Sequence, residues 1–293
     1  MNKELLRDFV RANPLLVNMR PAGEGIYVLK YKKRVFFDNL WNEYLEECRG
    51  TIIDEDFNIV SRPFTKIYNY GIEEKSPKLR GDLMVDAYRK VNGFMVAMTW
   101  HRDELLVSTT GSTDSEYVEM AKSYVTDKIK TACKMFPDST FMFECVHPND
   151  PHIIPEKEGL YLLGYRTKNW TSAVRVNPEM LKNFGSMMEV EVPEHYYVSM
   201  DTLQGMAKSC KHEGFVFYTS YGVSAKIKSP YYLTSKWVAR NPRTDKLVNL
   251  ENDIKKNLDE EYYPLVDAIR QNIEAYTLMS EQDRLAWCRN FLS

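Results

Sequence analysis

The sequence predicts an α+β fold in which antiparallel strands come first and a small helical subdomain closes the chain. Two observations predict it. Glu213–Tyr218 and Val223–Ser229 are strand-like runs separated by Ser220-Tyr221-Gly222, the signature of a tight hairpin. From Leu233 onward the apolar residues, Val248, Ile254, Leu258, Leu265, Ile269, Ile273, Leu278, Leu285 and Phe291, fall at helical spacing. Strands followed by helices point to α+β.

Composition sets the limits. With 293 residues, 44% hydrophobic and 13% aromatic, the chain has ample material for a core. A formal net charge of -2 gives no overall field that would attract a polyanion, so any nucleic-acid contact needs a local cluster. No apolar run reaches the length of a membrane span, and Met-Asn-Lys-Glu-Leu-Leu-Arg-Asp lacks the apolar stretch of a signal peptide. The expectation is a soluble, cytoplasmic protein without membrane association. The five cysteines form no Cys-x-x-Cys, and the five histidines form no His-Glu-x-x-His, so neither a zinc site nor a disulfide framework is indicated.

Leu5, Leu6, Phe9 and Val10 share one helical face, and Asn13-Pro14 ends that helix. Residues 25–37 read as strands around a basic knot, Lys30, Lys32, Lys33 and Arg34, interleaved with Tyr27 and Tyr31. A solvated hairpin face is the simpler reading of the knot, and a phosphate-contacting patch is the alternative. Glu47–Asp54 and Phe57–Lys66 read as two strands joined by an acidic turn, with Arg49 and Lys66 each at a strand end. Residues 114–135 form a helical pattern. Thr140–Val146 is a strand whose Glu144 sits among apolar neighbours, where a carboxylate must be paired or used. Gly159–Tyr165 is another strand and Asp201–Lys208 a helix. On the strand near residue 226, a period of two places Lys226 and Lys228 on one face, an arrangement that costs energy unless an anion is near. The segment 241–293 is acidic, with seven Lys or Arg against ten Asp or Glu. It reads as a helical subdomain after a larger domain spanning 1–240.

Lys-x-x-Gly occurs at Lys78–Gly81, Lys90–Gly93 and Lys211–Gly214. Lys78 lies in a Pro/Gly loop with no strand behind it, whereas Lys90 and Lys211 both precede apolar runs. Local context does not separate these two. The order of the remaining features does: Arg49-Gly50, Lys66, Lys90-x-x-Gly93, Glu144, Glu213-Gly214 and Lys226-Ile227-Lys228.

That order resembles the covalent nucleotidyltransferases, the superfamily of ATP-dependent ligases and capping enzymes. Glu47-Cys48-Arg49-Gly50, Ser61-Arg62-Pro63 through Lys66, Phe143-Glu144 with Val146 and Pro148, and Lys226-Ile227-Lys228-Ser229 resemble the bacteriophage RNA ligase 1 family more closely. The likeness covers roughly residues 25–235 and selects Lys90 as the nucleophile, because Lys211 abuts the Glu-Gly element itself.

The resemblance implies an antiparallel-sheet adenylylation domain, ATP-grasp-like, carrying an ATP-dependent RNA ligase. Lys90 would take AMP from ATP, pass it to an RNA 5′-phosphate, and release it on attack by a 3′-hydroxyl. An unperturbed lysine must fall by roughly 3 units to be half neutral near pH 7.4. A second ammonium at about 5 Å supplies most of that, about 3 kcal/mol at an effective dielectric near 20. Lys226 and Lys228 are placed in that role and in binding the α-phosphate. The resemblance assigns Tyr31, Arg49, Lys66, Val91, Gly93, Glu144 and Glu213 to nucleotide binding. Arg49 would lie toward the ribose or the RNA end, and Lys66 toward the β- and γ-phosphates. Mg²⁺ or Mn²⁺ would accompany ATP, with Glu144 and Glu213 reaching it through water. The partner would be RNA with 5′-phosphate and 3′-hydroxyl ends, tRNA among them, and the protein a monomer, in the host cytoplasm if the source is viral.

Two positions depart from the pattern: Asn92 stands where most of the superfamily has Asp, and Thr110 where related phage enzymes carry Lys. The alternatives are a DNA ligase or capping guanylyltransferase, disfavoured by the lack of an OB-like segment, and a non-catalytic RNA-end binder with the same fold.

Overall fold

The computed structural model describes residues 2–72, 74–171, 176–240 and 260–292. In chain order the strands begin with β1 (Val17–Gly23), β2 (Ile26–Tyr31), β3 (Arg49–Asp54), β4 (Ile59–Ser61), β5 (Tyr68–Asn69), β6 (Met84–Arg89) and β7 (Phe94–His101). They continue with β8 (Glu104–Ser108), β9 (Ser139–Val146), β10 (Gly159–Thr167), β11 (His195–Ser199), β12 (Gly214–Tyr218) and β13 (Ser224–Lys228). The helices are α1 (Lys3–Ala12), α2 (Lys33–Phe37), α3 (Glu43–Glu47), α4 (Glu116–Lys122), α5 (Asp127–Met135) and α6 (Pro178–Met188). After them come α7 (Met200–Ser209), α8 (Pro230–Arg240), a 3-10 turn (Glu260–Tyr262), α9 (Tyr263–Gln271), α10 (Ile273–Leu278) and α11 (Glu281–Leu292). The α+β class with antiparallel sheets and closing helices is as the sequence predicts. Among the described residues no helix is long and apolar enough to cross a membrane.

The chain divides into two compact units, the first made of 1–67, 93–152 and 156–194, the second of 68–92, 153–155 and 195–293. The first unit holds two four-stranded antiparallel sheets, β1-β2-β3-β4 and β10-β9-β7-β8. Ala22, Ile26, Val28, Ile52 and Val60 form the buried face of the former, with Leu106 of β8 packed against it. The latter is covered by α5 and α6, where Phe184 meets Phe136, Phe141 and Tyr165, each at 5.0 Å between ring centroids. The second unit is one five-stranded sheet, β11-β6-β12-β13-β5, antiparallel except for the short β13–β5 pairing. Helix α7 buries Met200, Leu203 and Ala207 against Val85, Ala87, Phe215 and Phe217 of this sheet. Tyr232, Leu233 and Trp237 of α8 make a second core with Tyr262, Leu265, Val266 and Ile269 of the closing segment.

Local chemistry sets most boundaries. Asn2 caps α1 by accepting from the Glu4 and Leu5 amides, and Asn13-Pro14 stops it. Residues 114–135 form two helices rather than one, because Thr126 leaves the helix to accept from the Ile129 amide and start α5. Val35–Phe37, expected as strand, is helical in α2; a three-residue apolar run carries no period of its own, and the Arg34–Asp38 pair at 2.9 Å spans one helical turn. The strand expected over Phe57–Lys66 shrinks to β4. Pro63 cannot donate to a ladder, and the Arg62 amide is drawn instead to Thr140 Oγ1 at 2.8 Å. Val248, Ile254 and Leu258 lie outside the described residues, as does the side chain of Leu285.

Arg62 leaves the sheet because its guanidinium is 1% exposed and joins a buried ion triad. Glu47 Oε1 accepts from Arg62 Nη2 at 2.6 Å and from Arg166 Nη2 at 2.7 Å, while Oε2 accepts from Arg166 Nη1 at 3.0 Å. Arg62 also donates to the carbonyls of Asn169 and Trp170, and Arg166 to that of Pro63. Burial alone would raise the Glu47 pKa, but the charges and hydrogen bonds of Arg166 and Arg62 hold it below the ordinary carboxylate value. The triad ties the β3 entry, the segment after β4, and β10 together. Replacing Glu47 by Gln leaves two buried guanidinium groups without their anion and is expected to lower the unfolding free energy by about 3–5 kcal/mol in a urea titration. The depressed carboxyl contributes fully above its ordinary pKa of about 4.5 and loses its contribution as pH falls further, so the gap between wild type and Glu47→Gln should narrow in acid.

Candidate active site

In the second unit, β6 delivers Lys90 and β12 is preceded by Glu213; the Lys90 amide donates to the Gly214 carbonyl at 2.8 Å, which fixes the two segments side by side. Glu213 is 3% exposed. Its Oε2 lies 3.0 Å from Lys90 Nζ and accepts from Asn92 Nδ2 at 2.7 Å, while Oε1 lies 3.9 Å from Lys228 Nζ. Asn92 is held from its other end, where Oδ1 accepts from the Ile154 amide at 3.2 Å. Burial would raise the Glu213 pKa, yet the charges of Lys90 and Lys228 and the donors on Lys90 and Asn92 depress it. Lys228 is pushed well below the ordinary lysine value, first by burial and next by the charge of Lys226, with Lys236 and Lys90 adding and Glu213 opposing. It also pairs with Glu261 from the 3-10 turn, whose neighbour Glu260 accepts from Asn69 Nδ2 at 3.2 Å. Four lysines and two buried carboxylates therefore share one neighbourhood.

Close approach explains the glycines. A Cβ on Gly93 would stand 2.3 Å from the Cys145 carbonyl oxygen, and one on Gly214, at φ +128, 2.0 Å from that of Ile227. Gly93 belongs to the first unit, where its amide donates to Glu144 Oε1 at 3.1 Å. Glu144 is thus a buried acceptor for the motif backbone.

The other candidates of the first unit lie on its first sheet and the turns beside it. Lys66 is 9% exposed, with Nζ 4.5 Å from the Trp41 ring centroid and 5.7 Å from that of Phe36. Tyr31 meets Trp41 edge-on at 4.7 Å. Arg49 pairs in register with Lys30, and Lys30 Nζ donates to Thr110 Oγ1 at 3.0 Å.

The structure brings Lys90, Glu213, Lys226 and Lys228 together within the second unit, where Val91 is buried at 1% exposure. Tyr31, Arg49, Lys66, Gly93 and Glu144 lie in the first. Lys78 and Lys211 are exposed. A further Lys-x-x-Gly, Lys182–Gly185, lies inside α6 with its lysine exposed. Sequence reasoning placed two ammonium groups near Lys90; the structure also sets the Glu213 carboxylate 3.0 Å from Lys90 Nζ, and Lys228, within reach of the Lys90 charge, is pushed well below the ordinary lysine value. Sequence reasoning also missed Glu261 and Lys236, and it named Glu47 in the Glu47-Cys48-Arg49-Gly50 motif without its role as a buried acid. That role carried a signal, since Arg62 and Arg166 stand in apolar runs that need a buried acid.

A partly exposed amine held by a buried carboxylate, beside ammonium groups able to receive a phosphate's growing charge, suits nucleophilic attack at phosphorus. Among the described residues no three His, Cys, Asp or Glu gather to cage a metal ion. With Glu213 already accepting from Lys90 and Asn92, the donor set fits a divalent cation carried by phosphate oxygens and water.

A sequence model of the family described as RNA ligase matches residues 47–232. Among solved structures, an archaeal ATP-dependent RNA ligase in its form 2 is similar at TM-score 0.63 and 14% identity, covering 100% of this chain and 78% of that one. Form 1 gives 0.62 and 15%, with the same coverage of 100% and 78%. A proposed ATP-dependent DNA ligase from Aquifex aeolicus gives 0.58 and 16%, covering 99% and 77%. At these identities the likeness is one of fold.

Asn92 has a physical reason to be an amide here, since a carboxylate in its place would face Glu213 at hydrogen-bonding distance. Asn92→Asp replaces a donor by an acid facing Glu213, so the variant should lose about 1.5–3 kcal/mol of unfolding free energy at neutral pH in a urea titration, and the loss should narrow in acid as a carboxyl takes up a proton.

Proposed function

The chain belongs to the RNA ligase family, whose model covers residues 47–232, and on that premise we propose that it is an ATP-dependent RNA ligase joining 5′-phosphate and 3′-hydroxyl ends through AMP carried on Lys90. The observation that carries this reading is the Lys90–Glu213 pair at 3.0 Å. It singles out one of several Lys-x-x-Gly lysines and couples it to the Glu-Gly and Lys-x-Lys elements.

Lys90 attacks the α-phosphorus of ATP as a neutral amine. The Nζ–P bond forms, the bond to the bridging oxygen breaks, pyrophosphate departs with the electron pair, and the amine proton passes to solvent. Glu213 favours the resting ammonium, while the charge of Lys228 works against it. An oxygen of the RNA 5′-phosphate then displaces Lys90, which regains a proton, and a 3′-hydroxyl finally attacks the 5′-phosphorus and expels AMP. Lys226 and Lys228 receive the charge developing on phosphate oxygens. Lys66 is assigned to the β- and γ-phosphates, Arg49 to the ribose or RNA end, Tyr31 to a phosphate, and Val91 and Gly93 to shaping the nucleotide position. A divalent cation bound with ATP would supply charge neutralisation, and Glu144 and Glu213 are the residues that would hold it through water. The helical segment from 241 onward is proposed as an appended subdomain after a nucleotidyltransferase domain of 1–240.

Incubation with α-³²P-ATP and Mg²⁺, followed by a denaturing gel, tests the reading. Wild type and Lys211→Ala should carry covalent label and Lys90→Ala none. Label from GTP alone would transfer the protein to the capping class. Absence of label with either nucleotide, after removal of pre-bound AMP, would sink the enzyme and leave an RNA-end binder.

A further inference from the structure

The first unit carries a cluster of cations in which Arg20 and Lys30, beside Arg49, have no part in the chemistry proposed at Lys90. Strand β2 brings Lys30 opposite Asn18 of β1 and Arg49 of β3, at an irregularity of the β2–β3 ladder between Leu29 and Lys30. Arg20 lies two residues beyond Asn18 on β1. Lys30 is half-buried; its Nζ donates to the neutral hydroxyl of Thr110 and lies 5.0 Å from the Tyr31 ring centroid. Among the described residues none of Arg20, Lys30 and Arg49 has a carboxylate partner. Elsewhere on the same unit exposed lysines do find acids, as in Lys128–Glu189 and Lys157–Glu191. With 41 acidic residues against 39 basic ones, the chain is not short of carboxylates, so their absence here is local. Burial first, and then the charges of Arg49 and Arg20, lower the Lys30 pKa to about 8.

Like charges gathered without a counter-ion are relieved by an incoming anion, and a hydroxyl beside them supplies a neutral donor for the same group. We propose that Lys30, Arg20 and Arg49, with the Thr110 hydroxyl, form a phosphate site that takes a backbone phosphodiester of the RNA substrate. The site rests on the RNA ligase reading and adds to it a strand-holding contact outside the adenylylation chemistry. Thr110 brings the hydroxyl, and the ammonium that it meets comes from β2.

Full-length Lys30→Met and Lys30→Arg, with Arg20→Met as an exposed-position variant, separate the possibilities. Binding of a single-stranded 5′-phosphorylated RNA is measured across a salt series, with label transfer from α-³²P-ATP and sealing of pre-adenylylated RNA measured alongside. Lys30→Met is expected to weaken RNA binding about tenfold at moderate salt and to flatten the slope of log K against log salt by about 0.7, one phosphate contact on a single strand. Sealing should fall in parallel, lysine labelling should stay within about twofold of wild type, Lys30→Arg should restore both, and Arg20→Met should flatten the slope in the same direction. Unchanged RNA affinity and slope in Lys30→Met and Arg20→Met would overturn the site. Lost labelling with unchanged RNA binding would overturn it too, by assigning the cations to the triphosphate of ATP. The salt slope reads the site whether or not Lys90 accepts AMP, so a wild type that binds RNA but does not label overturns the ligase reading alone.

Discussion

A carboxylate taken out of water must be met by cations or N–H donors, and each unit of this protein is arranged around one that is. In the first, Glu47 receives two guanidinium groups, and the segments carrying them converge on the turn that leads into Arg49. In the second, Glu213 receives the Lys90 ammonium and the Asn92 amide, with Lys228 beyond. Neither acid can shift without stranding charge in a poorly solvated place, which costs several kcal/mol. The candidate nucleophile thus takes its position from the buried acid as well as from the backbone bond between Lys90 and Gly214.

The two carboxylates differ in what they allow. Glu47 is saturated by Arg62 and Arg166, both nearly inaccessible, and its role ends with holding the frame. Glu213 is partnered by lysines, whose ammonium groups are point charges on flexible stems and can exchange one anion for another. Lys90 keeps 22% of its side-chain surface exposed, enough to meet a substrate. Lys228 is more enclosed and shares itself between Glu213 and Glu261, so the closing segment reaches the Lys-x-Lys element through one acid. A phosphate arriving among these lysines would compete with carboxylates already in place. Those carboxylates keep the clustered lysines tolerable and leave them available.

The same accounting separates two kinds of positive charge that a net charge of -2 conceals. Around Lys90 the cations are balanced by buried acids. Around Lys30 they are not, and the imbalance persists on β2, a strand paired on both sides. Charge totals describe the whole chain, while recognition depends on which charges are left without a partner.

The sequence by itself determined the α+β class, the hairpin before Lys226 and the helical close, because turn chemistry and apolar periodicity are written within a few adjacent residues, and its order of motifs carried the resemblance that points to Lys90. It also held the requirement that Gly follow Lys90 and Glu213, though not the carbonyls that impose it. Only the tertiary structure decided that Glu47 is the buried acid, that Asn92 serves as a donor to Glu213, that Glu261 meets Lys228, and that Lys30 stands without an acid. These pairings link residues as far apart as 119 positions for Glu47 and Arg166 and 121 for Asn92 and Glu213. Partners at that separation are fixed by strand register and by the relief of desolvated charge, and neither leaves a local pattern to read.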